Sequence, residues 1–470
     1  MSRLVSLLAV LYVALVVSAQ ETLIDVSARR QTLEGWGVSL CWWANMCGRW
    51  DDDARLDTLL CWLCAPEHLG YTLFRYNIGG GDDPLWTHCS PHHFGARGGK
   101  GLRAEMPGFR DVADGPYLWE RDVAQRRVLL RLQALQPDAQ FEAFSNSPPY
   151  YMTVSGCVGG AAVAASDNLR PECYAAFAQY LVDVCRYYRD SLGVEFLTLE
   201  PFNEPMTDYW HAGGGQEGCH FDVDSQRAFL KVLGPMLRQS GLGTRLSASD
   251  ETSVAQSVQD LDAYLADSAV LAEVWQWNTH SYEATDSARI RLSQLAASAG
   301  LRLWQSESGA GGRGLHGNLQ MAQRLIDDVR LLAPTAWMDW QYVEEHGDQW
   351  SLVQADWQRG TFRRVKNYYV RYQFTHFIRP GYTFLHTDQP QTLAALSPDG
   401  DEMVVVIVNT DPRRPDAHTL ILNGFEGGVG VQAWRTTREE DAAPTTDFTC
   451  TDNRISITLP PLSIATLVIR

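Results

Sequence analysis

The sequence predicts an α/β fold: a closed (β/α)8 TIM barrel with an appended, discontinuous β-sandwich domain. Three observations carry that prediction. Eight short apolar runs are each followed by a stretch with apolar residues at helical spacing, over about 340 residues. No Gly-x-Gly-x-x-Gly turn follows the first run, as an open dinucleotide-binding sheet would require. From Gly381 onward the texture changes to short β-runs separated by Asp, Gly and Pro turns.

The elements follow in order. Arg3 precedes an apolar run over 4–17, and Ser18 and Ala19 offer a cleavage point, so residues 1–19 read as a secretory signal peptide. Its core is short for a membrane span, and no later apolar run is long enough to be one. The mature chain is therefore expected to be secreted, extracellular and without stable membrane insertion. Residues 20–34 partly alternate apolar and polar side chains and read as one edge strand joining the sandwich. The barrel occupies 35–380. Its strands are 35–41, 71–78, 141–144, 195–199, 245–249, 274–280, 301–305 and 336–343. Their helices are 54–63, 122–135, 173–188, 225–237, 258–266, 288–297, 319–332 and 365–377. Such alternation gives right-handed crossovers and a parallel sheet. Residues 381–470 supply the β-sandwich.

Charge and composition narrow the partners. A net charge of −17 on 470 residues excludes a nucleic-acid partner, which needs a basic surface. A neutral polysaccharide or oligosaccharide suits it better. All ten cysteines follow the signal, and in an oxidising compartment some of them are expected to pair. Cys61-Trp-Leu-Cys64 has redox spacing but sits in a helical pattern, so a disulfide or buried thiol is the simpler reading. His88-Cys-Ser-Pro-His-His93 reads as surface histidines before it reads as a metal site. The glycine clusters at 79–81, 213–215 and 309–312 lack the Lys-Ser/Thr of a phosphate loop and read as flexible. No cofactor and no metal are expected.

In such a barrel the chemistry lies at the C-terminal ends of the strands. That rule collects Trp42 and Trp43, Asn77, Asn146, Asn203 and Glu204, Asp250 and Glu251, His280 and Tyr282, Glu307, and Trp337 and Trp340. Trp275 and Trp304, inside strands, read as packing. Glu204 and Glu307 end the fourth and seventh strands and are expected to face each other across a sugar. Glycoside cleavage needs such a pair, one carboxyl protonated and one ionised. Indole faces stack on sugar rings, and amides bind hydroxyls. The narrow barrel favours a short separation and hence retention of configuration. Burial and like charge are expected to raise the pKa of the acid. Two other readings stay open: a non-catalytic carbohydrate-binding barrel, and a metal-dependent hydrolase using the histidine loop.

Leu199-Glu-Pro-Phe-Asn-Glu-Pro205 resembles the acid/base strand of the clan A glycoside hydrolases, and Trp304-Gln-Ser-Glu-Ser-Gly309 resembles their nucleophile strand. Glu34-Gly-Trp-Gly37, Arg75-Tyr-Asn-Ile-Gly79 and Phe144-Ser-Asn-Ser-Pro-Pro-Tyr150 narrow the resemblance to family 30, over essentially the whole mature chain. It implies a retaining β-glycosidase with Glu204 as acid/base and Glu307 as nucleophile. Asn203 would bind the hydroxyl beside the reacting carbon, Tyr282 would hydrogen-bond the nucleophile and Arg75 would hold its charge. Asn146, His280, Trp42 and Trp340 complete the substrate-binding set. Asn146-Ser-Pro-Pro-Tyr-Tyr-Met152 and Cys41-Trp-Trp-Ala-Asn-Met46 are most similar to the endo-β-1,6-galactanases, which attack arabinogalactan side chains. Glucosylceramidase and endo-β-1,6-glucanase are the alternatives within the family.

Overall fold

The computed structural model describes residues 19–81, 106–345, 347–425 and 430–470. The signal peptide, apart from Ala19, and the His88–His93 cluster lie outside these residues. Strands β1 (Gln20–Asp25) and β2 (Arg29–Thr32) open the described chain. The barrel follows as β3 (Gly35–Ser39), β4 (Leu73–Asn77), β5 (Gln140–Phe144), β6 (Thr198–Glu200), β7 (Arg245–Glu251), β8 (Val274–His280), β9 (Arg302–Ser308) and β10 (Ala336–Asp339). These strands close into one parallel barrel, with β10 pairing back onto β3. Nearly every residue in them is buried, as a sheet covered on both faces requires. Gly35 and Gly37 let β3 lie against β4: a Cβ on Gly37 would stand 2.5 Å from the Leu73 carbonyl oxygen.

Three expectations need correction. The eighth strand stops at Asp339 instead of running to Val343, because the Gln341 N–H donates to the Trp350 carbonyl at 2.5 Å and draws the chain off the barrel. The excursion forms a small sheet of β11 (Val343–Glu344), β12 (Val353–Asp356) and β13 (Thr361–Arg364) before helix Lys366–Thr375. The N-terminal edge strand is two strands. Asp25 accepts from the Ser27 amide at 2.7 Å and from its hydroxyl at 2.6 Å, an Asx turn that breaks the run. Finally, glycines 79–81 are buried, not slack: a Cβ on Gly79 would meet the Met106 carbonyl oxygen at 2.4 Å.

The remaining strands are β14 (Thr383–Leu385), β15 (Thr392–Leu396), β16 (Met403–Asn409), β17 (Asp416–Asn423), β18 (Val431–Thr436), β19 (Ala443–Thr445), β20 (Phe448–Thr451), β21 (Arg454–Leu459) and β22 (Ser463–Ile469). They form a four-stranded sheet, β1-β17-β21-β20, and a seven-stranded sheet, β19-β18-β22-β16-β15-β14-β2. Each sheet thus takes one strand from the N-terminal segment. One face of β16 and β22 packs on the four-stranded sheet through Val405, Ile407 and Leu467. The other face, with Val404, Val406 and Val468, joins the barrel core. Of the cysteines, Cys157 is disulfide-bonded, whereas Cys61 and Cys64 are free thiols on helix Asp53–Cys64.

A buried carboxyl pair ties the end of β7 to its following helix, Val254–Leu265. Burial, then the charge of Asp260, pushes Glu251 well above the ordinary glutamate range, and burial pushes Asp260 up to about 6. Both bind a proton more tightly folded than unfolded, so stability falls as pH rises from about 4 through about 6 and beyond. Asp260→Asn is expected to flatten that decline between pH 5 and 8 by about 2 kcal/mol. Thermal unfolding across this range checks it, and an equally steep decline in the variant would refute a shared proton.

Candidate active site

The C-terminal ends of the strands converge on one buried polar cluster. Glu204 lies beyond β6 with φ +50°, a conformation that costs a side chain about 1 kcal/mol or more. Its peptide is fixed on both sides. The Glu204 amide donates to the Asp250 carbonyl at 2.8 Å, while the Thr207 hydroxyl and the Trp210 indole each donate to the Glu204 carbonyl at 2.9 Å. Glu307 needs no such bracing, since it lies within β9 itself, in register with His280 on β8.

His280 is the hub between them. Its Nδ1 lies 3.2 Å from Glu204 Oε1 and 3.5 Å from Glu307 Oε1, and its Nε2 lies 3.3 Å from Asp250 Oδ1. One carboxylate oxygen of Glu204, one of Glu307 and a ring nitrogen of His280 all fall within 4.8 Å of one another. The Tyr282 hydroxyl donates to Glu307 Oε1 at 3.1 Å. Arg75, fully buried, lies behind the group. It donates to Glu142 at 2.8 Å and to Asp250 at 2.5 Å, and its Nη1 is 3.9 Å from Glu307 Oε2.

These contacts set the charges. Burial alone would lower the Arg75 pKa, but Asp250 and Glu142 outweigh it and hold the guanidinium charged. Burial would raise Asp250, but Arg75 and His280 outweigh it and hold the carboxylate well below its usual range. Burial would lower His280, yet Glu307 and Asp250 push it well above the ordinary imidazole value. Glu307 is pushed up to about 7 by burial, with the charge of Glu204 adding and that of His280 opposing. Burial would raise Glu204 as well, but the hydrogen bond and charge of His280, then the Tyr209 hydroxyl, bring it below the ordinary glutamate value. The expected order is therefore reversed: the raised carboxyl is Glu307, because His280 and Tyr209 both favour an ionised Glu204.

Asn146, Asn203, Trp42 and Trp340 are buried with the cluster. Trp42, Phe144 and Trp340 form an apolar wall with half-buried Trp350 at its edge. The Trp42 indole N–H has no hydrogen-bond partner among the described residues, and Asn146 Nδ2 has only the Cys41 thiol beside it. Asn77 accepts from the Asn146 amide at 3.3 Å and donates to Glu217 at 2.9 Å. Three shortlisted residues lie elsewhere. Trp43 donates to the Ser39 carbonyl and packs edge-on against Tyr342, in the core. Trp337 donates to Asp328, and Glu251 turns to Asp260, Gln226 and the Met206 amide. Trp304 donates to Glu34, and Trp275 packs under Arg302, both structural as expected.

Sequence reasoning missed Glu142, Glu200, Glu217 and Tyr209. Glu142 accepts from Arg75, Thr198, Ser247, Gln276 and Asn278, and Asn278 also donates to Glu200. Burial and the charges of Asp250 and Glu142 push Glu200 well above its usual range. Burial pushes Glu217 up to about 8 while it accepts from the Gly80 amide at 2.6 Å. Glutamates inside the apolar runs of β5 and β6 were the available signal for the first two. Arg75→Met would leave Glu142 and Asp250 buried and unpaired, and is expected to destabilise the fold by about 3–5 kcal/mol. Denaturant unfolding measures it, and a loss below about 1 kcal/mol would show that the guanidinium is not what balances these carboxylates.

Relatives of known activity share this sequence and fold. A sequence profile of O-glycosyl hydrolase family 30 matches residues 19–268. An endo-β-1,6-galactanase of Hypocrea rufa is 31% identical over 434 residues, covering 88% of this chain and 86% of its own. An endo-1,6-β-D-glucanase of Aspergillus fumigatus is 23% identical over 408 residues, covering 81% and 79%. Among solved structures, a conserved exported protein from Bacteroides fragilis superposes with a TM-score of 0.80 at 17% identity, over 96% of this chain and all of that one. The profile spans more than half of the chain and the galactanase likeness nearly all of it, so this chain belongs to glycoside hydrolase family 30 and is a glycoside hydrolase.

Proposed function

We propose that the protein is a secreted, retaining endo-β-1,6-galactanase in which Glu307 is the nucleophile and Glu204 the acid/base. The observation that carries the mechanism is the approach of Glu204, Glu307 and His280 to within 4.8 Å. So short an approach of the nearest oxygens supports the close carboxyl pair of retaining enzymes, about 5–5.5 Å, over the inverting spacing of about 6.5–9.5 Å. In the first half-reaction a Glu307 oxygen attacks the anomeric carbon, and the Glu204 proton passes to the departing glycosidic oxygen. In the second, Glu204 takes a proton from water as that water displaces Glu307. Tyr282 and Arg75 stabilise the carboxylate that Glu307 presents and recovers. Attack needs Glu307 ionised and Glu204 protonated, so the one proton of the pair has to sit on Glu204 when the glycosidic bond breaks, with His280 in contact with both carboxyls. The unpaired Trp42 and Asn146 donors and the polar Asn203 suit sugar hydroxyls.

Galactan is favoured by the greater and more complete similarity to the galactanase. The second reading is an endo-β-1,6-glucanase, supported by the Aspergillus fumigatus relative. Product analysis on β-1,6-galactan, β-1,6-glucan, glucuronoxylan and glucosylceramide separates these readings. Cleavage of glucan or lipid alone would sink the galactanase reading and leave the mechanism intact.

Two further outcomes test the mechanism. Glu307→Gly and Glu204→Ala are each expected to lose roughly 10³-fold or more in kcat. Azide should then yield an α-azide product from the first variant and a β-azide from the second; the opposite pattern would exchange the roles. The carboxyl pair must also hold one proton to react, and its tighter site titrates at about 7. Accordingly kcat/KM should fall above about pH 7 as that proton is lost. A rate that stays flat to pH 9 would count against a shared proton.

A further inference from the structure

Tyr209 belongs to no motif, yet it touches Glu204. Its side chain is 45% exposed. Its hydroxyl donates to Glu204 Oε2 and lies 2.9 Å from Thr252 Oγ1. The loop that presents it is firmly built. Trp210, the next residue, is buried, packs edge-on against Tyr209 at 4.6 Å and anchors the Glu204 carbonyl. A Cβ on Gly218 would stand 2.2 Å from the Trp210 ring, and one on Gly160 2.2 Å from its carbonyl carbon, so both glycines make room for that residue.

The two oxygens of Glu204 therefore face different surroundings. Oε1 looks inward to His280 Nδ1, which also contacts Glu307, with Asp250 on the far side of the imidazole. Oε2 looks to the half-exposed phenol, and Thr252 lies beside both that hydroxyl and the carboxyl. A leaving group arriving from solvent meets Oε2, and meets the phenol there. Taking Glu204 as the acid/base, the reading on which this rests, we propose that Tyr209 is a positioning residue of the leaving-group subsite. It holds Oε2 while that side of the cleft is empty, yields it to the glycosidic oxygen when a sugar is seated, and takes it back once the sugar has left. The phenol keeps its own proton throughout. Burial and the Glu204 charge push its pKa up, so it stays a donor at any working pH. The proton that moves is the one passing from Glu204 to the leaving oxygen, and later from water to Glu204. Donation to the carboxylate disfavours the protonated acid from which the first transfer starts and favours the ionised base from which the second starts. Exchange of partners on Oε2 meets both needs.

Tyr209→Phe removes the donor and keeps the ring. The sum of the two apparent pKa values of the carboxyl pair should rise by about one, whichever carboxyl holds the proton. The pH optimum of kcat/KM should then move up by about half a unit. Thr252→Val, which removes a hydroxyl beside both the phenol and the Glu204 carboxyl, should move it the same way by less. Tyr209→Phe should also lose more kcat/KM on a β-1,6-linked tetrasaccharide than on a dinitrophenyl glycoside of the same sugar. The latter seats no sugar on the leaving side and needs no proton. An unmoved optimum in both variants, or equal losses on the two substrates, overturns the proposal; a purely structural tyrosine would give that result. Absence of azide rescue in Glu204→Ala is a separate failure, of the acid/base reading itself, and does not involve Tyr209.

Discussion

The buried guanidinium of Arg75 is the constraint around which the barrel interior is arranged. A cation with no exposed surface survives only if carboxylates meet it, and Glu142 from β5 and Asp250 from β7 do so at 2.8 and 2.5 Å. Those carboxylates then recruit the rest. Asn278 and Gln276 donate to Glu142, Ser306 to Asp250 at 2.5 Å, and Asp250 holds the far side of His280. Glu200 is pushed well above the ordinary glutamate range by burial, then by the charges of Asp250 and Glu142, with Arg75 only partly opposing. Charge balance in the barrel floor thus fixes His280, and His280 fixes the spacing of Glu204 and Glu307. The carboxyl pair is positioned from below, by a network of buried charges and hydrogen bonds.

The backbone contributes in a different way at each carboxyl. Glu307 inherits its place from strand register, at no conformational cost. Glu204 needs a left-handed residue beyond its strand, and its amide reaches Asp250, which is also left-handed at φ +63°. Two strained residues that hold each other are stable only as a pair, which explains why the bonds from Thr207 and Trp210 converge on the Glu204 carbonyl. The glycines serve the same end. Gly309 lets β10 close over the end of β9, where a Cβ would meet the Trp340 carbonyl oxygen at 1.8 Å, and this seats Trp340 beside the cluster.

Much of this was legible in the sequence because periodicity and strand-end position are local properties. All eight barrel strands, and the pairing of Glu204 with Glu307, follow from counting apolar runs. What sequence could not resolve were interactions between segments far apart in the chain. The excursion after Asp339 depends on the Gln341–Trp350 bond, and the two N-terminal strands depend on which sheet edge each one finds. Trp43 and Trp337 satisfy the strand-end rule yet turn into the core, because a residue number gives the end of a strand but not the direction of its side chain. The pKa order failed for a similar reason. Burial and like charge are visible as a pair of glutamates, but His280 and Tyr209, which reverse the outcome at Glu204, are seen only once their distances are known.

That reversal bears on specificity. On the proposed mechanism, a carboxyl pair gripped by His280, Tyr282 and Arg75 acts on the anomeric centre, and the anomeric centre is the same in galactose and glucose. The network can therefore set linkage cleavage and stereochemistry but cannot tell the two sugars apart. Discrimination has to reside where a hydroxyl of one sugar finds a buried polar partner and the same hydroxyl of the other does not, since a polar group left unpaired is what makes selectivity large. The Trp42 indole N–H and Asn146 Nδ2 are such groups, poorly satisfied by the protein itself. They stand in the two runs, 41–46 and 146–152, whose sequence resembles the endo-β-1,6-galactanases. On that proposal, chemistry and selectivity are carried by different parts of one site: the first by charge balance under the barrel mouth, the second by neutral donors on its wall.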